Sequence, residues 1–243
     1  FYLRANKTFV ASPYMQQEYR TLGMETEVMP YFLRETAFYR PWEEGPMGPG
    51  GPAGPAKPAA GGTARMAVAP RAALFVGRLV PIKGLRDLLQ RMDAMKPDLA
   101  IAGEGWDRPS CERRALPGRA RFLGWKHGAE LRTLLRAASC LVIPSLWPEP
   151  FGRVGIEALA QGTPVVAFDV GGIGSWLVPG QGGHLVPPGD WPAFFAAVNA
   201  LAENPAQARA LGETGRARVR ERFNAPDHVS RMLALLEKVM KNS

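Results

Sequence analysis

The stretch that decides the fold is "PSLWPEPFGRVGIEALAQGTPVVAF", Pro144–Phe168. The apolar run "CLVIPS" leads into it, and "TPVVAFD" leads out. Between them "RVGIEALAQG" reads as a helix with Gly162 at its C-terminal cap. Both apolar runs are continuous rather than alternating, as strands covered on both faces require. Strand, helix and strand in that order predict a parallel βαβ unit. Two glutamates, Glu149 and Glu157, bracket its turn in a chain of net charge +8.

The same alternation continues on both sides. Apolar runs occur at "AALFVG", "DLAIAG", "ARFLGW" and "GGHLVPP", and amphipathic segments at "GLRDLLQRMDAM" and "GAELRTLLRAA". The chain from 72 to 223 is therefore expected to form an α/β fold, a doubly wound Rossmann-like parallel sheet. Three helices follow the last strand. In the final one, within 224–243, Met232, Leu235, Leu236 and Val239 share a face. That face predicts either an exposed apolar patch or docking against residues 1–40. Upstream, residues 1–41 hold a short strand–helix–strand unit, with Ser12 as N-cap, Pro13 at the first helical position and Gly23 at the C-terminal cap. Residues 42–71 are rich in glycine and proline and read as a flexible linker; four Gly-X-Y triplets from Gly45 are too few for a collagen helix.

Composition narrows the classes. With 46% hydrophobic and 21% charged residues the chain reads as globular, and no apolar stretch is long enough to span a membrane. Cys111 and Cys140 form neither a CxxC pair nor a zinc pattern, which fits a reducing, cytoplasmic setting. The chain begins at Phe1 and reads as a piece of something longer. The positive charge is spread along the chain. It fits a phosphate-bearing ligand, an anionic membrane surface or plain solubility, whereas the aromatic–basic interleaving of a single-strand nucleic-acid groove is missing. Neither GxGxxG nor GxxxxGK[ST] follows any strand, which argues against a dinucleotide-dependent oxidoreductase.

In an open parallel sheet, ligands bind beyond the carboxyl ends of the strands. The first such loop, "FVGRLVPIKG" from Phe75 through Gly77 to Gly84, carries Arg78 and Lys83. They read either as a diphosphate clamp or as two solvated cations. The loop before the Glu157 helix presents the amides of Phe151, Gly152 and Arg153, an anion site at the positive end of the helix dipole. Glu157 is placed to accept hydrogen bonds from a ribose diol, and Glu149 to meet whatever the phosphate carries. The alternatives are a helix-stabilising Glu157 and a surface Glu149. His127 and His184 read as structural.

The blocks "FVGRLVPIKG", "IAGEGWD", "RFLGW", "PSLWPEPFGRVGIEALAQGTPVVAFDVGG" and "GGHLVPPGD" together resemble the retaining family-4 glycosyltransferases of the GT-B fold. The resemblance implies that 72–223 is the nucleotide-sugar-binding half, 1–41 a remnant of the N-terminal acceptor domain, and 224–243 the crossing helix. It implies transfer of a sugar from a nucleoside-diphosphate sugar to the hydroxyl of a sugar, lipid or small-molecule acceptor, with retention at the anomeric carbon. A non-catalytic nucleotide-sugar-binding module, or a truncated inactive fragment, is the competing expectation. Arg78, Lys83 and Glu149 would serve the reaction centre. Gly77, Phe151, Gly152, Arg153, Glu157, Trp125 and Lys126 would hold the donor, although Trp125 reads equally as a packing residue. No metal or other cofactor is implied, and peripheral membrane contact is left open. The sequence departs from the family pattern in three places. Most of the N-terminal domain, with its histidine near the sugar, has no counterpart. The linker is unusually long. Ser175 also stands where a glutamate often follows "DVGG".

Overall fold

The computed structural model describes residues 8–31, 33 and 72–241. The linker expected over 42–71 lies outside the described residues. The first unit comprises strand β1 (Thr8–Val10), helix α1 (Pro13–Thr21) and strand β2 (Thr26–Val28), the strands pairing in parallel. Ser12 is the N-cap of α1, accepting from Met15 N–H at 3.3 Å. The helix ends one residue earlier than expected, with Leu22 as cap and Gly23 just beyond it at φ 73°.

The main unit runs β3 (Ala73–Val76), α2 (Leu85–Gln90), β4 (Leu99–Ala102), α3 (Arg108–Arg114), β5 (Ala120–Gly124), α4 (Gly128–Ala137), β6 (Leu141–Ile143), α5 (Arg153–Ala160), β7 (Val165–Phe168) and β8 (Gly183–Val186). Helices α6 (Trp191–Glu203), α7 (Pro205–Arg222) and α8 (Ala225–Lys241) complete it. All six strands pair in parallel in the order β5-β4-β3-β6-β7-β8. Burial follows this order. The inner strands β4, β6 and β7 are buried along their whole length, whereas the edge strand β5 is not. Chain order reverses between β3 and β6, so a crevice opens at their carboxyl ends.

The helices are held by apolar burial. Leu85, Leu88 and Leu89 of α2 are essentially inaccessible, each contributing about 1.5–3 kcal/mol. Phe168, Trp191, Phe194 and Phe195 lock α6 onto β7 through edge-on and stacked rings. Helix α7 packs along α5 and keeps its position fixed. The sequence missed α3, whose polar "RPSCERR" shows no apolar period. It is anchored by the fork of Arg86 on buried Asp107 (Nη2–Oδ1 2.5 Å, Nε–Oδ2 3.2 Å) and by buried Cys111. Burial pushes the Cys111 thiol up to about 11, with the Asp107 charge adding to it, and the Cys140 thiol up to about 12.

Among the described residues the N-terminal segment is tied to the main unit by Ser12 Oγ, which donates to Pro150 C=O, and by two contacts near Phe223. Leu33 N–H donates to Phe223 C=O at 2.7 Å, at the junction of α7 and α8. Tyr31 and Phe223 both pack edge-on against Phe151, with centroids 5.3 and 5.7 Å from it. Docking of the N-terminal segment therefore falls at the start of α8. Along the body of α8, Val229, Met232 and Leu233 remain exposed. No helix among the described residues is long and apolar enough to cross a membrane.

Candidate active site

The crevice at the β3–β6 switch point is a cavity of about 700 Å³. Its walls are the loops after β3, β5 and β6 and the facing parts of α4 and α5. Gly77, Arg78 and Lys83 enter from the first loop; Trp125 and Lys126 from the second; Glu149, Phe151, Gly152, Arg153 and Glu157 from the third. Every residue that the sequence singled out for the site lines this one cavity.

The turn before α5 is built by three successive carbonyls. Gly172 N–H donates to Glu149 C=O (2.6 Å), Ser12 Oγ to Pro150 C=O (2.5 Å), and Trp176 Nε1 to Phe151 C=O (2.5 Å). With these oxygens engaged, the backbone swings through Gly152 at φ 77°, a left-handed conformation costly to any residue with a Cβ, and enters α5. Arg153 and Val154 line the cavity, and intrahelical bonds leave their first-turn amides unused. Gly155 N–H closes back on Gly152 C=O at 2.9 Å. Phe151 contributes only its backbone there, because its ring is buried.

Glu149 is buried, and its Oε1 accepts from both Lys83 Nζ and Ser145 Oγ at 2.5 Å. The loop around it is fixed from behind. A Cβ on Gly171 would lie 2.4 Å from Glu149 O and 2.6 Å from its N. Lys83, expected as half of a diphosphate clamp, is thus also the counter-charge of Glu149. Its ammonium keeps two further donors. Arg78 is exposed and has no carboxylate partner among the described residues. Glu157 sits one turn into α5, paired with Arg153 (Nε–Oε1 3.0 Å). Desolvation holds its carboxyl above the usual range against the opposing pull of Arg153.

Trp125 is 59% exposed and lines the cavity, so the packing alternative fails for it. Lys126 pairs with Glu130 at 3.2 Å while lining the same wall. His127, expected to be structural, is the exposed N-cap of α4 and also lines the cavity. His184 lies away from it on β8, with burial holding its imidazole pKa low. Ser175 hydrogen-bonds Gly172 C=O at 2.6 Å and closes a 3-10 turn behind the site. Sequence reasoning missed Ser12, Ser145, Gly171 and Trp176, which position the Glu149 loop, and Tyr31, Leu33, Leu131 and Arg132 in the cavity wall.

A family profile described as "Glycosyl transferases group 1" matches residues 70–204, more than half of the chain. Glycogen synthase of Mycobacterium tuberculosis is 34% identical over 169 residues, which are 66% of this chain and 41% of that protein. Among solved structures, sucrose-phosphate synthase from Thermosynechococcus elongatus superposes with a TM-score of 0.81 at 29% identity, over 99% of this chain and 60% of that one. Anabaena HepE in complex with UDP-glucose gives 0.78 at 21% identity, over 96% of this chain and 64% of that one. The chain thus spans about two-fifths of the glycogen synthase and three-fifths of the solved synthase. The six-stranded α/β architecture matches GT-B glycosyltransferase structures. With its cavity at the switch point and the profile matched across the main sheet, the chain belongs to the group 1 glycosyl transferases.

Proposed function

We propose that this chain is the donor-binding half of a retaining family-4 glycosyltransferase that takes its sugar from a nucleoside-diphosphate sugar. One observation carries the reading: a single cavity joins the N-terminus of α5, the cations Arg78 and Lys83 and the carboxylates Glu149 and Glu157. The diphosphate lies against the α5 amides with Arg78 and Lys83. Glu157 accepts from the ribose diol, and Glu149 faces the sugar hydroxyls. Anabaena HepE, of the same architecture and solved with UDP-glucose, supports this class of donor.

The acceptor hydroxyl attacks the anomeric carbon from the face that the nucleotide leaves. A new glycosidic C–O bond forms as the bond to the phosphate oxygen breaks, and the acceptor's hydroxyl proton passes to that leaving oxygen. Negative charge grows on the leaving diphosphate, and Arg78, Lys83 and the α5 amides stabilise it. Preorganised donors of this kind stabilise a transition state without reorganisation. No metal is assigned to this step, and a chelator should leave the rate unchanged.

The test is calorimetric titration of the chain with UDP-, GDP- and ADP-sugars. At least one should bind, and Arg78→Ala should weaken it by about 1.5–3 kcal/mol. Unaltered binding in that variant removes the clamp. With the upstream sequence restored, NMR of the product should show the donor's anomeric configuration; an inverted product refutes retention. Donor binding without any transfer would make the protein a binding module.

A further inference from the structure

Four residues of α4 line the cavity: Gly128, Leu131, Arg132 and Leu135. Their spacing is one helical face. Leu131 and Leu135 pave it, and Arg132 is its charged member. Arg132 is half-buried and makes no ion pair or hydrogen bond with any described residue. The other cavity cations differ: Lys83 is held by Glu149, Arg153 by Glu157 and Lys126 by Glu130. Arg78 alone shares this condition, and it belongs to the phosphate loop.

Position decides what Arg132 faces. Helix α5 lies beside α4, and Glu157 occupies on α5 the place that Arg132 occupies on α4, four residues past the first helical position. Arg132 and Glu157 both line the cavity, and Glu157 is paired with Arg153 rather than with Arg132. A sugar nucleotide is a linear array of sugar, diphosphate, ribose and base. With the sugar at Glu149, the diphosphate at the α5 turn and the ribose at Glu157, the base must continue away from Glu149. The wall that remains to receive it is the one made by Trp125, Lys126 and α4, which line the same cavity.

We infer that Arg132 is a specificity-determining residue that selects a keto-bearing base, uracil or guanine, over an amino-bearing one. This inference rests on the donor-site reading above. A guanidinium has five N–H donors and no acceptor. It complements the O4 carbonyl of uracil or the O6 and N7 pair of guanine. The exocyclic amines of cytosine and adenine would meet it donor to donor, leaving both unsatisfied in a partly enclosed wall.

The experiment is titration of the whole chain with UDP and CDP, and with GDP and ADP. Each pair contrasts a carbonyl with an amine. In the parent protein the keto member of the bound pair should bind about tenfold or more tightly. In Arg132→Met, with an unchanged melting curve, that ratio should fall to within about twofold while the amino member keeps its affinity. Arg132→Lys should lose most of the discrimination, since the fork is gone. A parental ratio near one overturns the inference. So does uniform weakening of all four ligands in Arg132→Met with Arg132→Lys silent, which would make Arg132 a phosphate cation. If none of the four binds, the donor-site reading itself falls; if they bind without discrimination, only the base assignment falls.

Discussion

Glu149 and Glu157 lie eight residues apart at the two ends of one turn, and the protein treats them in opposite ways. Glu149 is buried, doubly hydrogen-bonded and backed so closely by Gly171 that no side chain fits between them. Among the described residues Glu157 has one partner, Arg153, whose side chain is 63% exposed, and desolvation raises the pKa of its carboxyl. A group with its partners in place is preorganised, and its loop holds one geometry. A desolvated carboxylate with a single weakly held partner has acceptor capacity to spare. The difference suits a rigid end, where chemistry needs fixed positions, and a receptive end, where hydroxyls complete the shell.

The comparison breaks most severely at Gly171. Gly171→Ala would place a methyl 2.4 Å from the Glu149 carbonyl oxygen at a φ of 59°. We expect about 2–4 kcal/mol of lost stability in chemical denaturation. Tightening by the sugar moiety should disappear while a bare nucleoside diphosphate still binds, since the Glu157 end is untouched. A normal midpoint would mean that the loop yields, and the rigid end would not be rigid.

Next in size is Lys83→Met. It leaves the buried Glu149 carboxylate without its counter-charge, at about 2–3 kcal/mol, below the figure for a fully buried pair because Lys83 is about a quarter exposed. Lys83→Met with Glu149→Gln should recover more than half of the loss. Additive effects of the two changes would show that the ion pair is not what holds the loop.

How far this contrast was visible beforehand depends on the range of each interaction. The sheet was legible because each central strand is an unbroken apolar run, and burial along β4, β6 and β7 is the cause of that pattern. The site loops were legible because strand ends, glycines and charges are adjacent in sequence. Helix α3 was not, as it is anchored by one buried Arg86–Asp107 fork rather than by a stripe. The devices that set Glu149 apart were equally hidden. Ser12 reaches Pro150 across 138 positions, and Lys83 reaches Glu149 across 66. No local period reports such contacts. Ser12 was legible as a helix cap, yet its hydroxyl also donates to the turn before α5. Arg132 was unremarked because a lone arginine on an amphipathic helix normally faces solvent.

The smallest expected effect concerns Glu157 and is read best against pH. Its folded pKa lies above that of the unfolded chain, with desolvation as the main cause. Below the unfolded value both states carry the proton, and the contribution of the neutral Glu157 to folding is fully present. As pH rises through the folded value the unfolded chain ionises first, so the fold loses a contribution that it held in acid. Donor binding has the opposite slope, because ribose hydroxyls need the ionised carboxylate as acceptor. Affinity should therefore weaken as pH falls, with a midpoint above the ordinary glutamate value, and binding near that midpoint should release a proton. Calorimetry in buffers of different ionisation enthalpy measures that release directly. In Glu157→Gln the release should vanish and neutral-pH affinity should drop by about 1–2 kcal/mol. The amide still accepts, but without charge. A Glu157→Gln variant that kept the parent's pH profile would move the titrating group elsewhere and leave the two glutamates alike in function.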